Sequence, residues 1–427
     1  MIDSKDILSL LSIPSEDVSY TSIIDDKNNI YFIEIELKDN RPNCPFCFSN
    51  KVIIKDYYNT KIKNSILQKK KLYVNIKNRR YKCKNCNKTF KQNYSLSNKN
   101  ETISINIKEI VKKMLMDRIS MQYIAKELDI SKQTVINILD SMPTPNRLNL
   151  PKVLCIDEFH FSNANHEAGK YPCVLSNPFD SEIIDIIESR RKGYLIDYFD
   201  NISYQEREKV EYFISDMNET YRFVHRRYFK HSVYIVDHFH IVKLFTEAIQ
   251  KLRIKIMKKY SKDSKAYKFL KENWKLFLKN RFDLKDSVRV NKRTGVVHYI
   301  LDDVDMVLKE YPDLKLVYWT KEEFCSTMLK LHDYEETKEI IDFFIDQYCN
   351  SSIEEIRSIG KTFKRWYKEI INAYAKNLYG VVLTNAMAES NNNYIQTLIN
   401  IGYGFTNFPR LRKRILYMSS NKKSNQF

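Results

Sequence analysis

Two sets of residues in this chain have the types and spacings that chemistry needs. The first is cysteine. Cys44-Pro-Phe-Cys47 and Cys83-Lys-Asn-Cys86 are paired C-x2-C knuckles. Each knuckle offers two thiolates in one tight turn, and two knuckles complete a tetrahedral four-sulfur site for one Zn2+. Four thiolates leave no open coordination position, so the zinc is expected to be structural. A redox role is the alternative for any C-x-x-C, and two copies in one small basic module argue against it. The other four cysteines, Cys155, Cys173, Cys325 and Cys349, stand singly in apolar sequence. They read as buried, inert thiols.

The second set is acidic. Asp157 ends the apolar run Val153-Leu-Cys-Ile156. Asp216 follows Tyr212-Phe-Ile-Ser215, and Glu389 sits in Ala386-Met-Ala-Glu-Ser-Asn-Asn-Asn393. The chain carries 71 Lys and Arg against 53 Asp and Glu, a formal +18, so its expected partner is a polyanion. Carboxylates in such a surface repel that partner unless they hold cations. Divalent metals do so, and a carboxylate-held metal pair is a device for breaking phosphodiesters.

These residues must be positioned by folded elements, and 427 residues suffice for two to four domains. With 43% hydrophobic and 29% charged residues the chain reads as globular. No apolar run approaches the roughly 20 residues that span a bilayer, and the start lacks a signal-peptide pattern. A soluble cytoplasmic protein without membrane contact is the expectation.

Residues 1–40 read as a short helix and then a strand over Ile30–Leu37. Strands at Lys51–Tyr58 and Lys71–Ile76 lie between the knuckles, which makes 41–95 a zinc ribbon. Residues 104–145 read as a helix-turn-helix module. Ile124 and Leu128 face inward, Asp129 and Ile130 turn, Ser131 caps the next helix, and Val135 and Ile138 pack back. The exposed face then offers Lys132, Gln133 and Asn137, types that reach phosphates and base edges. After a linker with Pro143, Pro145 and Pro151, the texture over 151–240 is three strands, helix, strand, helix, strand. That is the order of a ribonuclease-H-like α/β core. A Lys-rich helical insertion, 241–380, separates it from a second part, 381–420, that carries Glu389.

The ordered set of pieces resembles the ISL3 family of bacterial insertion-sequence transposases. It runs through the ribbon, the helix-turn-helix, Ile156-Asp157-Glu158-Phe159, Asp216-Met217-x-x-x-Tyr221 and Asp237-x-Phe239-His240. It continues with Leu316-x-Tyr318-x-x-Lys321-Glu322-x-Phe324, Glu389-x-Asn391-Asn392 and Gly402-Tyr-Gly-Phe-x-Asn-Phe408. The resemblance implies a multidomain α/β DDE transposase: zinc ribbon, helix-turn-helix, and a ribonuclease-H-like core interrupted by an all-helical insertion. It places the catalytic triad on Asp157, Asp216 and Glu389, with two Mg2+ (or Mn2+) per site. Its partners are double-stranded DNA, as element ends and as target, and further copies of the chain, as a homodimer or higher oligomer on that DNA. Asp237 also follows an apolar strand and is the alternative middle acid, with His240 as a supporting residue. Ser390 stands where the family has Gly, and residues 394–400 carry no charge where the family is basic. A transposase-derived DNA-binding regulator without cleavage is the rival reading.

Overall fold

The computed structural model describes residues 8, 17–26, 30–67, 70–98, 100–145, 149–162, 167–180, 182–284, 287–290, 295, 297–401, 405 and 407–424. Their contacts group into two units, Met1–Pro145 with Thr397–Phe427, and Asn146–Gln396.

The first unit is built on a long hairpin. β1 (Val18–Asp26), β2 (Ile30–Leu37), β3 (Val52–Leu67), β4 (Lys70–Cys83) and β5 (Thr89–Lys91) form one sheet in the order β1-β2-β4-β3, with β5 also on β4. Alternation sends Ile33, Ile35, Leu72, Val74 and Ile76 to one buried face. Lys61, Tyr73 and Lys77 point to the other. The register pairs Val52 with Cys83 at the open end of the hairpin. It therefore draws together the knuckle before β3 and the knuckle after β4. The hairpin extends well beyond the two short strands expected, because polar residues such as Asn59, Lys61 and Lys63 continue the alternation on the exposed face. The helix expected near the N-terminus falls mostly outside the described residues, and β1 was not anticipated. Its Tyr20, Ile23 and Ile24 are exposed, so it lacks a one-sided apolar pattern.

Three helices follow: α1 (Ile105–Leu115), α2 (Met121–Glu127) and α3 (Lys132–Ser141). Ser104, Ser120 and Ser131 each accept a backbone N–H of the first turn, the usual N-cap bond. Asp129 takes the left-handed conformation, φ 51°, in the turn before α3. Its carboxylate receives Lys63 and Lys71 from the hairpin, which fastens that turn to the sheet.

The second unit holds a five-stranded sheet of β6 (Val153–Glu158), β7 (Cys173–Ser176), β8 (Ile183–Ile187), β9 (Tyr212–Ser215) and β10 (Val233–Val236). The order is β10-β9-β6-β7-β8. β10, β9 and β6 are parallel, while β7 and β8 are antiparallel to their neighbours. α4 (Lys192–Asp200) and α5 (Tyr204–Glu208) precede β9, and α6 (Glu219–Tyr228) joins β9 to β10. The strands and α6 match the expected order. α4 was not expected: its N-cap, Arg191, makes no side-chain cap bond, so the sequence offers no start signal there. Val153, Ile156, Phe213, Ile214, Ile235 and Val236 are buried in the core of this unit.

α7 (His238–Met257), α8 (Lys265–Glu272) and α9 (Arg281–Leu284) lead into a two-stranded hairpin, β11 (Val288–Val290) and β12 (Val297–Tyr299). α10 (Ile300–Glu310), α11 (Pro312–Thr327), α12 (Tyr334–Cys349), α13 (Glu354–Arg365) and α14 (Tyr367–Tyr374) complete the insertion. The hairpin corrects the expectation of an all-helical insertion. Its alternating Val288-Arg-Val290 and Val297-His-Tyr299 is a strand pattern, hidden within a Lys- and Arg-rich stretch. Then come α15 (Ala386–Ile401) and α16 (Phe408–Ser424). The contact grouping divides within α15, and residues from Thr397 onward pack with the first unit, whereas the sequence reading kept 381–420 with the core. Most of the motif expected at 402–408 lies outside the described residues. Among the described residues no helix is long and apolar enough to cross a membrane.

Candidate active site

The four knuckle cysteines meet. Cys44 Sγ lies 3.6 Å from Cys86 Sγ, and Cys47 Sγ lies 3.6 Å from Cys83 Sγ. All four sulfurs fall within 4.8 Å of one another. A tetrahedron with Zn–S bonds of about 2.3 Å has sulfurs about 3.8 Å apart, so the donor set fits zinc. The backbone N–H of Ser49 pulls the Cys47 thiol down to about 6, and that of Cys86 lowers Cys83, toward the thiolate that a metal takes. Against the backbone N–H of Lys88, burial and the neighbouring sulfurs lift Cys86 to about 11. Cys155 and Cys173 are buried, and Cys325 and Cys349 are partly so. Burial pushes the Cys155, Cys173 and Cys325 thiols up, which makes them poor nucleophiles.

Lys132, Gln133 and Asn137 are exposed on α3. Gln133 Nε2 donates to Asn137 Oδ1 at 2.7 Å, one helical turn on.

The acids gather at one end of the second sheet. β6, β9 and β10 are parallel, so Asp157, Asp216 and Asp237 all lie at their C-terminal ends, on adjacent strands. Asp157 Oδ1 accepts the backbone N–H of Glu158 at 2.8 Å. Its Oδ2 accepts Asn392 Nδ2 at 2.8 Å, and the same nitrogen reaches the Glu158 carbonyl at 3.0 Å. Burial, then the neighbouring charge of Asp216, pushes the Asp157 carboxyl up to about 7. A carboxylate so placed favours a proton or another cation.

His240, in the first turn of α7, sits between the other two aspartates. Its Nδ1 is 2.9 Å from Asp216 Oδ1 and 3.4 Å from Asp237 Oδ2. Burial alone would lower its pKa. The two carboxylates outweigh burial and lift it to about 9, so an imidazolium occupies the gap at neutral pH. Asp237 is the more enclosed acid, and its Oδ1 accepts the backbone N–H of Asn385 at 2.9 Å. His238 points elsewhere: its Nε2 meets the Ala373 carbonyl at 2.5 Å, and burial lowers its pKa. It is a core residue.

Glu389 lies in the first turn of α15 with its side chain exposed. It stands between two anchors. Four residues before it, Asn385 bonds Asp237; three residues after it, on the same helix face, Asn392 bonds Asp157. Among the described residues only the four cysteines bring three or more ligand atoms within 4.8 Å. Asp157, Asp216 and Glu389 are therefore more widely spread than that, although as hard oxygen donors they suit Mg2+ or Mn2+.

Sequence reasoning did not assign roles to Asn385, Asn392, Tyr221 or Arg190. Asn392 and Tyr221 stood within quoted motifs, and the one-turn offset from Glu389 was a usable signal for Asn392. Glu158, on the opposite face of β6 from Asp157, accepts Tyr221 Oη at 2.6 Å and pairs with Arg190 at 2.7 Å. Nothing local in sequence announces that pairing.

The family model described as Transposase, of the ISL3 DDE type, matches residues 154–415. A second model, described as zinc-finger of transposase IS204/IS1001/IS1096/IS1165, matches residues 40–86. No curated protein matches the chain.

Proposed function

From the premise that the chain belongs to the ISL3 family of DDE transposases, we propose that it binds the terminal inverted repeats of its element, cleaves phosphodiesters at those ends and joins the freed 3′-OH to target DNA. Asp157, Asp216 and Glu389 are the acids in this reading, on a ribonuclease-H-like core. The observation that carries it is the seating of the Glu389 helix. Asn385 and Asn392, on either side of Glu389, hydrogen-bond Asp237 and Asp157 at 2.9 and 2.8 Å. Residues from three distant stretches of sequence thus reach one sheet edge.

When bound there, two Mg2+ (or Mn2+) supply an activated water and neutralise the leaving 3′ oxygen. The chain's own residues prepare the place. Asn392 fixes the direction of the Asp157 carboxylate. His240 balances Asp216 and Asp237 until metal and phosphate arrive. Asp237 braces the start of α15 through Asn385, which favours Asp216, the more open acid and the one on the strand beside β6, as the middle ligand. Lys132, Gln133 and Asn137 read the element ends, with the four-cysteine zinc site holding the ribbon beside them in sequence. Joining two ends calls for at least two copies of the chain on DNA.

The test is a supercoiled plasmid carrying the element's own ends, incubated with Mg2+ or with EDTA. Cleavage with free 3′-OH ends and strand transfer is expected only with metal. Asp157→Ala, Asp216→Ala and Glu389→Ala should each abolish cleavage and spare end binding. An active Asp216→Ala with a dead Asp237→Ala reassigns the middle acid. Specific end binding without cleavage under either metal overturns the enzymatic reading in favour of a DNA-binding regulator.

A further inference from the structure

Across the carboxyl edge of the second sheet, one flank carries a basic residue held unusually firmly. β7 begins at Cys173, paired with Glu158, and β8 ends at Ile187, paired with Cys173. Tyr171, just before β7, and Arg190, just after β8, therefore lie at the same end of the sheet as Asp157. Their backbones are joined by Arg190 N–H to the Tyr171 carbonyl at 2.9 Å. The Arg190 guanidinium lies over the Tyr171 ring, 4.7 Å from its centroid. One of its nitrogens donates to Glu158 Oε2 at 2.7 Å. The other Glu158 oxygen accepts, at 2.6 Å, the hydroxyl of Tyr221, which is fully buried.

The outer pair of this chain, Arg190 with Glu158, does little for stability. The Arg190 side chain keeps 45% of its surface open, so water and salt screen its charge. Its effect is orientation. One edge of the guanidinium is fixed by Glu158 and one face by Tyr171, and the rest of the fork has no partner among the described residues. A planar fork held in this way matches a phosphate, which it binds with two parallel hydrogen bonds. The location fits as well. β8 is two strand spacings from β6, about 10 Å, and DNA rises about 3.4 Å per nucleotide along a strand. The edge between Asp157 and Asp237 is acidic, so a strand laid across it needs a cation on its flank.

We propose that Arg190, aimed by Glu158 and Tyr171, is a DNA-binding residue that holds a backbone phosphate within a few nucleotides of the one at the carboxylates. The assignment rests on the reading of that edge as the cleavage site, and its test does not depend on cleavage. Binding of a fluorescent 20-base-pair duplex of arbitrary sequence to the full chain is measured against NaCl, with Ca2+ in place of Mg2+. Arg190→Ala should reduce the slope of log affinity against log salt by about one and weaken binding several-fold at 0.1 M salt. Arg190→Lys should keep the slope, as a point charge does, yet lose part of the affinity. Thermal melting identifies a variant that fails to fold; if Arg190→Ala does, Arg190→Lys is the deciding variant. Wild-type slope and affinity in a folded Arg190→Ala, or wild-type affinity in Arg190→Lys when only that variant folds, overturns the proposal. Such a result leaves the cleavage reading standing if Asp157→Ala still abolishes cleavage. Loss of the slope with no cleavage by the wild type has the opposite meaning.

Discussion

Asp157 and His240 make the acidic edge a stability liability that depends on pH. The Asp157 carboxyl rises to about 7 on folding, through burial and the charge of Asp216, whereas in the unfolded chain it titrates near 4. Between those values the folded state holds more protons than the unfolded state, so stability falls as pH rises through that window. His240 adds to the fall. Its folded value near 9 exceeds the unfolded 6.5, so its contribution is complete below about 6.5 and is lost as pH rises through 9. In metal-free protein Asp157→Asn should therefore melt higher than wild type at pH 8, with the difference vanishing toward pH 4. Melting scans at both pH values check this, and equal shifts at both would contradict it. Asn392 leads to a second expectation. Its Oδ1 is buried without a hydrogen bond, and turning the amide over would set that oxygen against Asp157 Oδ2 and the Glu158 carbonyl. The donor must face Asp157. Partners that orient a metal-holding group are worth roughly 10–100-fold in metal affinity, so Asn392→Ala should weaken Mn2+ binding by about tenfold in calorimetry. The placement of Asp157 and Asp216 at one sheet edge was legible because each ends an apolar strand. The Glu158–Arg190 pair was not legible, since the two stand 32 residues apart and only the register of β6, β7 and β8 joins them.

At the scale of elements, the C-terminal helix is the part the sequence concealed best. On α16, Arg410, Lys413, Arg414 and Tyr417 recur at helical spacing and share one face. Arg410 forks onto Asp140 at 2.8 and 2.6 Å. Lys413 Nζ reaches the carbonyls of Leu139, Asp140 and Met142 at 2.8–3.2 Å. Arg414, fully buried, donates to the carbonyls of Leu115, Asp117 and Ile119. Tyr417 Oη donates to the Pro143 carbonyl at 2.6 Å. These are the C-terminal ends of α1 and α3, where free carbonyls and the helix dipole favour cations. The sequence reading assigned no helix here, and a partner some 270 residues away leaves no local trace. Arg414→Met should strand those carbonyls and cost about 2–4 kcal/mol, read in denaturant unfolding of the first unit. On α3 itself, Lys132→Ala should lower the salt slope of end binding by about one, and Gln133→Ala should relax sequence preference. Binding of specific ends unchanged in both variants would remove this helix as the reader.

For the whole molecule, the core of the second unit and the buried set at the knuckle end of the ribbon differ greatly in size. The second unit's buried cluster runs from Leu150 to Leu383 and takes in the sheet and the insertion helices. The knuckle end of the ribbon has a buried set of only Cys44, Val52, Tyr81 and Cys83. A core that small does not hold two turns in place, and a tetrahedral metal does. The two knuckles were the most legible feature of the sequence, because their spacing states the donor set outright. The extent of the sheet they close was not, since β1 and the outer parts of β3 and β4 carry polar and exposed residues. Purified protein should contain about one zinc per chain, four thiolates closing one site. Chelation under reducing conditions should lower the unfolding temperature of the ribbon and leave the transition of the second unit in place. Cys83→Ser should lose the zinc and reproduce that pattern, because three thiolates and a hydroxyl bind zinc far less well and the hairpin end has little else. Calorimetry and metal analysis on the same samples decide it. Protein without zinc under reducing conditions, or chelation that shifts both transitions equally, would show that the knuckles do not hold the ribbon as a metal-dependent body of its own.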